Sequence, residues 1–159
     1  MGRLGQRLSL DAWAAHSAGL FEECGKAVLF RHAPDHYRAM LRAASGDTEL
    51  CTLEHAGFGV SHDALGAALC ESWGLGAAAV ASVRHHVVVQ QTLMLPEAHA
   101  KRAICGLSAL AYTLMNAPEH IEDTVVAIAP QADLDLTLMQ RAARQTLEQL
   151  QAAIDNGRE

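Results

Sequence analysis

The chain is poor in aromatic side chains, with two Trp, two Tyr and three Phe in 159 residues. It is poor in positive charge as well. Twelve Lys and Arg against eighteen Asp and Glu give a formal charge of −6, which leaves no basis for binding nucleic acid by phosphate neutralisation. No run of like charges is long enough to act as a binding tail. No C-x-x-C pair occurs. Cys24, Cys51, Cys70 and Cys105 each sit in an apolar helical setting and read as small core residues in a reducing compartment. The start, Met1 to Arg7, lacks the apolar stretch of a secretory leader. The longest apolar run, Ala103 to Met115, falls short of the roughly 20 residues a membrane span needs. G-x-S-x-G, Walker, G-x-G-x-x-G and Cys-His patterns are missing. These absences point to a soluble, cytoplasmic chain with no membrane and no nucleic-acid partner.

What is present is Ala and Leu in quantity, which favours closely packed helices. The length suits one domain with one core, residues 1–159. Ser9 is placed to cap a first helix running to about Glu23, and Cys24-Gly25-Lys26 breaks it. A short apolar piece, Ala27 to Phe30, follows. Pro34 and Asp35 mark the start of a helix whose stripe is Tyr37, Met40 and Leu41. Ser45-Gly46-Asp47 is a loop. Thr48 opens a short helix through Glu54 that ends near Gly57 and Gly59. Ser61 caps the next helix, with Leu65, Leu69 and Trp73 as its apolar stripe and a tight Gly74-Leu75-Gly76 turn behind it. A helix is expected over Ala77–Val89. A long, nearly charge-free one from Glu97 to Met115 should be the most buried. Glu119–Ile128 is a short segment, Pro130 a breaker, and Asp133 or Asp135 opens an amphipathic last helix carrying Leu136, Met139, Ala143, Leu147, Leu150 and Ile154. The fold class is therefore all-α.

The chemistry-bearing residues gather between Glu54 and His86. In order they are Glu54, Gly59, His62-x-x-x-Gly66, Trp73-Gly74-Leu75 and the pair His85-His86. Upstream, Gly19-Leu20-Phe21-Glu22-Glu23-Cys24-Gly25-Lys26 is similar to the GLLHDIGK signature of HD-type domains. The whole series resembles the HD-related output domain family, HDOD, from about residue 10 to the C-terminal helix. The resemblance implies an HD-domain-like helical bundle, here only partial because the N-terminal helical subdomain is lacking. It also implies a non-catalytic regulatory or output module in bacterial signal transduction. Such modules accompany receiver, GGDEF or EAL domains, so signalling proteins of those kinds are the implied partners.

The departures bear on activity. In HD phosphohydrolases a His-Asp pair holds divalent metal, which activates a water. Glu22-Glu23 stands there in this chain. The helix expected to supply an earlier His would precede residue 10, where the sequence has none. The later Asp would lie within Ala103–Met115, which has no acid. Val87-Val88-Val89 replaces the Gly-Tyr-Pro of cyclic-di-GMP phosphodiesterases. The candidate pocket residues are Glu22, Glu54, His62, His85 and His86. A resident cofactor is not expected. If a divalent metal binds, the resemblance assigns Glu22, His62, His85 and His86 as its ligands. The plainer reading is that these histidines hydrogen-bond within the bundle, to Glu54 or Glu22. Of two adjacent glutamates at most one faces a pocket. His32 and His36, at i and i+4 but split by Pro34, read as surface, as do His16, His55, His99 and His120. Missing N-terminal helices would leave Leu20, Phe21, Leu107 and Leu110 uncovered, so the chain is expected to self-associate. Two rival readings stand beside the output module: a degenerate metal-dependent phosphohydrolase acting on nucleotides, and a plain dimerisation or scaffold domain.

Overall fold

A computed structural model describes residues 1–156. These residues are all-α, with no strand among them. The helices are α1 (Gly2–Arg7), α2 (Ala12–Phe21), α3 (Cys24–His32), α4 (Pro34–Ala43), α5 (Asp47–Phe58), α6 (His62–Ser72), α7 (Ala77–Thr92), α8 (His99–Asn116), α9 (Ile121–Ile128) and α10 (Leu136–Asn156). A 3₁₀ turn, Pro118–His120, leads into α9. No helix among the described residues is long and apolar enough to cross a membrane.

The centre of the bundle is α7 against α8. Every residue from 104 to 110 on α8 is buried, so this middle stretch is enclosed on all sides, as its lack of charge implies, while Tyr112 and Met115 farther along are exposed. Around it, α9, α10, α1 and α2 add Val125, Ile128, Met139, Leu4 and Ala15 to one continuous core. A second cluster, Leu29, Tyr37, Met40 and Leu50, lies under α3, α4 and α5. The two clusters flank the side chains described in the next subsection.

Several sequence expectations are corrected. The first long helix does not start at Ser9. A separate helix, α1, precedes it, and Ser9 takes a left-handed φ of 56° in the turn between them. Asp11 is the cap instead, its Oδ1 accepting from Trp13 N and Ala14 N at 3.0 Å. Leu107 and Leu110 are fully buried because α9, α10 and α1 cover them; of the four residues expected to be bare, Leu20 alone is largely exposed, at 65 %. The buried face of α6 is His62, Gly66, Ala67 and Cys70 rather than Leu65, Leu69 and Trp73. Close approach of α3 selects small residues on that face. On α10, Asp135 Oδ1 accepts from Leu138 N at 2.6 Å as a capping residue would. Leu136 and Ile154 remain exposed at the ends of the expected stripe. His32 and His36 lie on different helices and are exposed, edge-on to Phe58.

The four cysteines are unpaired. Burial pushes the Cys70 and Cys105 thiols up, to about 11 and about 12, so both serve as inert packing groups.

Candidate functional site

Gly59, with φ 75°, ends α5 in the left-handed region that an L side chain enters only with strain. The chain thereby turns back, and the first residue of α6 settles over Glu54 on α5. Glu54 is completely buried and fully engaged. Its Oε2 accepts both the backbone N–H and the Nδ1–H of His62, each at 2.7 Å. Its Oε1 accepts the Tyr37 hydroxyl at 2.5 Å. One carboxylate thus ties α4, α5 and α6 together and satisfies an orphan N–H at the start of α6, as a capping group does. Ser61, the residue at the cap position, spends its hydroxyl on Asp63 Oδ1 instead. Burial, then the bond to Glu54, holds the Tyr37 phenol well above its ordinary range, so Tyr37 stays a neutral donor.

His86, on α7, donates Nδ1–H to the Val83 carbonyl at 2.7 Å. The His62 and His86 rings have centroids 5.5 Å apart. Nδ1 is thus engaged in both rings, which leaves Nε2 as the other polar atom of each. Both Nε2 atoms are buried and have no hydrogen-bond partner among the described residues. Glu23 approaches from the residue before α3. Its Oε1 is 3.8 Å from His86 Nε2, and one ligand atom each from Glu23, His62 and His86 lies within 4.8 Å of the others. The second Glu23 oxygen is held by Lys26 Nζ at 2.9 Å, which also reaches Asp47 Oδ1 at 2.7 Å.

This convergence depends on how closely α3 and α6 approach. A Cβ on Gly25 would stand 2.0 Å from the His62 carbonyl oxygen. Only glycine allows that approach, and it carries Glu23, two residues earlier, to the imidazoles.

A second triple, Cys51, Glu54 and His62, also has ligand atoms within 4.8 Å. There the carboxylate already accepts three bonds and His62 Nδ1 is spent on it. The Cys51 thiol is pushed up to about 12, by burial and then by Asp63 and Glu54. Those groups are accounted for without an ion.

Of the residues singled out from the sequence, the structure brings Glu54, His62 and His86 together. Glu22 and His85 lie elsewhere. The break after Phe21 turns Glu22 toward α7 and α8, where its carboxylate accepts from Gln90 Nε2 at 2.8 Å and Ser108 Oγ at 2.7 Å. Successive helical residues are about 100° apart, so of His85-His86 only one can face His62. His85 instead lines an open groove of about 420 Å³ with Arg84, Lys101 and Glu71. Burial, then the Arg84 and Lys101 charges, lower its pKa. Of the residues that the resemblance assigned, His62 and His86 face one another, Glu22 and His85 point elsewhere, and Glu23 rather than Glu22 is the glutamate beside the two rings. Tyr37 was legible only as a core residue. Its sole distinguishing signal was a hydroxyl on an otherwise apolar stripe.

The sequence model described as HDOD domain matches residues 1–89, a span that takes in Glu23, Glu54, His62 and His86. The chain belongs to the HDOD family, a membership consistent with an output domain in signalling and with a generally non-catalytic branch of HD-related proteins. No curated protein and no solved structure matches it.

Proposed function

We propose that the chain is a non-catalytic regulatory output module of bacterial signal transduction, located in the cytoplasm and working by contact with other proteins. The observation that carries this reading is the fate of Glu22. At the place of the first HD ligand stands a carboxylate turned away from the histidines and bound to Gln90 and Ser108. Ser108 lies on α8, the helix from which the hydrolases draw their later aspartate. A hydroxyl and an amide there satisfy the glutamate and supply no anionic ligand. The burial of His62 and His86, at most 1 % exposed, supports the same reading. Purified protein incubated with nucleotides, cyclic dinucleotides and a chromogenic phosphodiester, each with manganese, magnesium or zinc, is expected to release no product above the protein-free rate. Turnover abolished by Glu23→Gln would favour the degenerate hydrolase and end this reading.

The contact surface we assign is the outer face of α2. Trp13 and Leu20, at i and i+7, are 75 % and 65 % exposed, and large apolar groups left bare at helical spacing mark interaction faces. Receiver, GGDEF or EAL proteins are the partners the family suggests, and a second copy of this chain is the simplest occupant. Trp13→Ala/Leu20→Ala is expected to leave stability within about 0.5 kcal/mol of the parent while weakening self-association more than tenfold in sedimentation velocity. A parent chain that stays monomeric at every concentration would discard the self-association.

A further inference from the structure

We propose that the groove between α6 and α7 binds a small phosphomonoester, its dianionic head held by Arg84, His85 and Lys101 and its apolar body laid along a floor of small side chains. The groove lies apart from the buried histidine pair, and the inference does not depend on the output reading.

Helix phase makes the groove. α6 and α7 run antiparallel, so that His62 meets His86 and Gly66 meets Val83. That seam occupies one face of each helix. Beside it, Ala64, Ala67, Ala68, Val80 and Ala81 are short enough to leave a trough of about 420 Å³, a volume that suits one small molecule. The trough differs from end to end. Glu71 and Ala77 line it near the hairpin turn. Arg84 and His85 stand two helical turns farther along α7, roughly 10 Å away. Lys101, in the first turn of α8, joins them there. The Ser82 hydroxyl, bonded to the Ile104 carbonyl at 3.4 Å, pins that part of α8 to the middle of α7.

Charge is the second observation. The chain has 12 Lys and Arg against 18 Asp and Glu, yet two cations and an imidazole converge here. Among the described residues neither Arg84 nor Lys101 forms a salt bridge. Their fields reach His85, whose pKa is lowered by burial and then by these two charges, with Asp63 acting the other way. Asp63 is no counter-ion for the cluster, since its Oδ1 accepts from the Ser61 hydroxyl and the Ala64 N–H. Glu71, the one acid lining the trough, stands at the opposite end. Like charges gathered in this way repel, and an anion among them turns repulsion into attraction. Two fixed charges and a chargeable imidazole match a dianion, whereas a lone carboxylate would leave one charge over. The Arg84 guanidinium can engage two phosphate oxygens at once, and the Lys101 ammonium adds a point charge. Glu71 repels a second negative group at the far end, which selects a monoester with an uncharged or donor-bearing tail.

The test titrates phenyl phosphate, inorganic phosphate and benzoate into the full chain at low ionic strength, followed by calorimetry. One phenyl phosphate per chain is expected, tighter than inorganic phosphate, about tenfold tighter than benzoate, and weakened by added salt. Arg84→Gln and Lys101→Gln, on exposed and half-exposed side chains, should fold and should each weaken phenyl phosphate about tenfold, the worth of one charge-assisted hydrogen bond. Arg42→Gln removes the same charge from α4 and should leave the affinity within about twofold. Ala68→Leu fills the exposed part of the floor, so it should weaken phenyl phosphate and spare inorganic phosphate. Absence of saturable binding, benzoate binding as tightly as phenyl phosphate, or equal effects of Arg84→Gln and Arg42→Gln would each overturn the site. A glutamate-rich peptide binding tighter than phenyl phosphate would make the groove a protein contact and end the small-molecule assignment. None of these outcomes bears on the output reading, which the product-release assay alone decides.

Discussion

Glu54→Ala is expected to lower unfolding free energy by about 3–5 kcal/mol, the range for removing one partner from a buried, charge-assisted network. The variant strands three donors at once: the Tyr37 hydroxyl, the His62 backbone N–H and His62 Nδ1–H. Each is enclosed by α4, α5 and α6, and water reaches none of them without opening those helices. For a chain of this size the change corresponds to a fall in Tm of roughly 6–20 °C. Urea unfolding followed by circular dichroism measures it directly. Tyr37→Phe removes one donor and leaves Oε1 short of one bond, at about 1–3 kcal/mol. In the double variant the two losses should sum to less than their separate values, because with both partners gone the orphaned hydroxyl no longer exists. If Glu54→Ala unfolds within 1 kcal/mol of the parent, by roughly the spread ordinary surface changes show, Glu54 is not the tie described above.

Gly25→Ala is expected to be at least as damaging. The added methyl would lie 2.0 Å from the His62 carbonyl oxygen and 2.8 Å from its carbonyl carbon. The obstacle is backbone, so no side-chain rotation relieves it, and α3 must move off α6. Overpacking of this kind costs about 3 kcal/mol or more when the neighbour is fixed. Gly76→Ala is the control, since nothing lies within 4 Å of its added carbon. At the first boundary of α7 it should stay within about 1 kcal/mol. Thermal melts of the two variants side by side decide the matter; equal Tm values would mean that α3 and α6 are less tightly joined than the geometry implies.

Much of the helical layout was legible because its signals are local. Pro34 starts α4, Gly59 ends α5, Asp135 caps α10, and the charge-free stretch from Ala103 to Met115 predicts the enclosed α8. The role of Glu54 was legible too: a lone acid just ahead of a glycine turn and a histidine has few ways to be satisfied other than by accepting from them. The errors came from non-local packing. Ser9 looks like a cap, but the turn from α1 forces it to a positive φ and hands the task to Asp11. Leu65, Leu69 and Trp73 have the right period for a core stripe, yet α3 lies so close that Gly66 and the His62 backbone pack directly on Cys24 and Gly25, and the face with His62, Gly66, Ala67 and Cys70 is the buried one. Choosing between Glu22 and Glu23, or between His85 and His86, requires the helix phase to better than one residue. A helix break at Phe21 cannot be placed that finely from a pattern.

The Glu54 knot joins residues 17 and 8 positions apart along the chain. The Arg7–Gln145 bond, by contrast, spans 138 positions and fastens α1 to α10. Short loops close at little entropic expense and long ones at more. Topology therefore gives the molecule an inner latch that can shut among near neighbours and an outer clasp that must wait until almost the whole polypeptide has been gathered in.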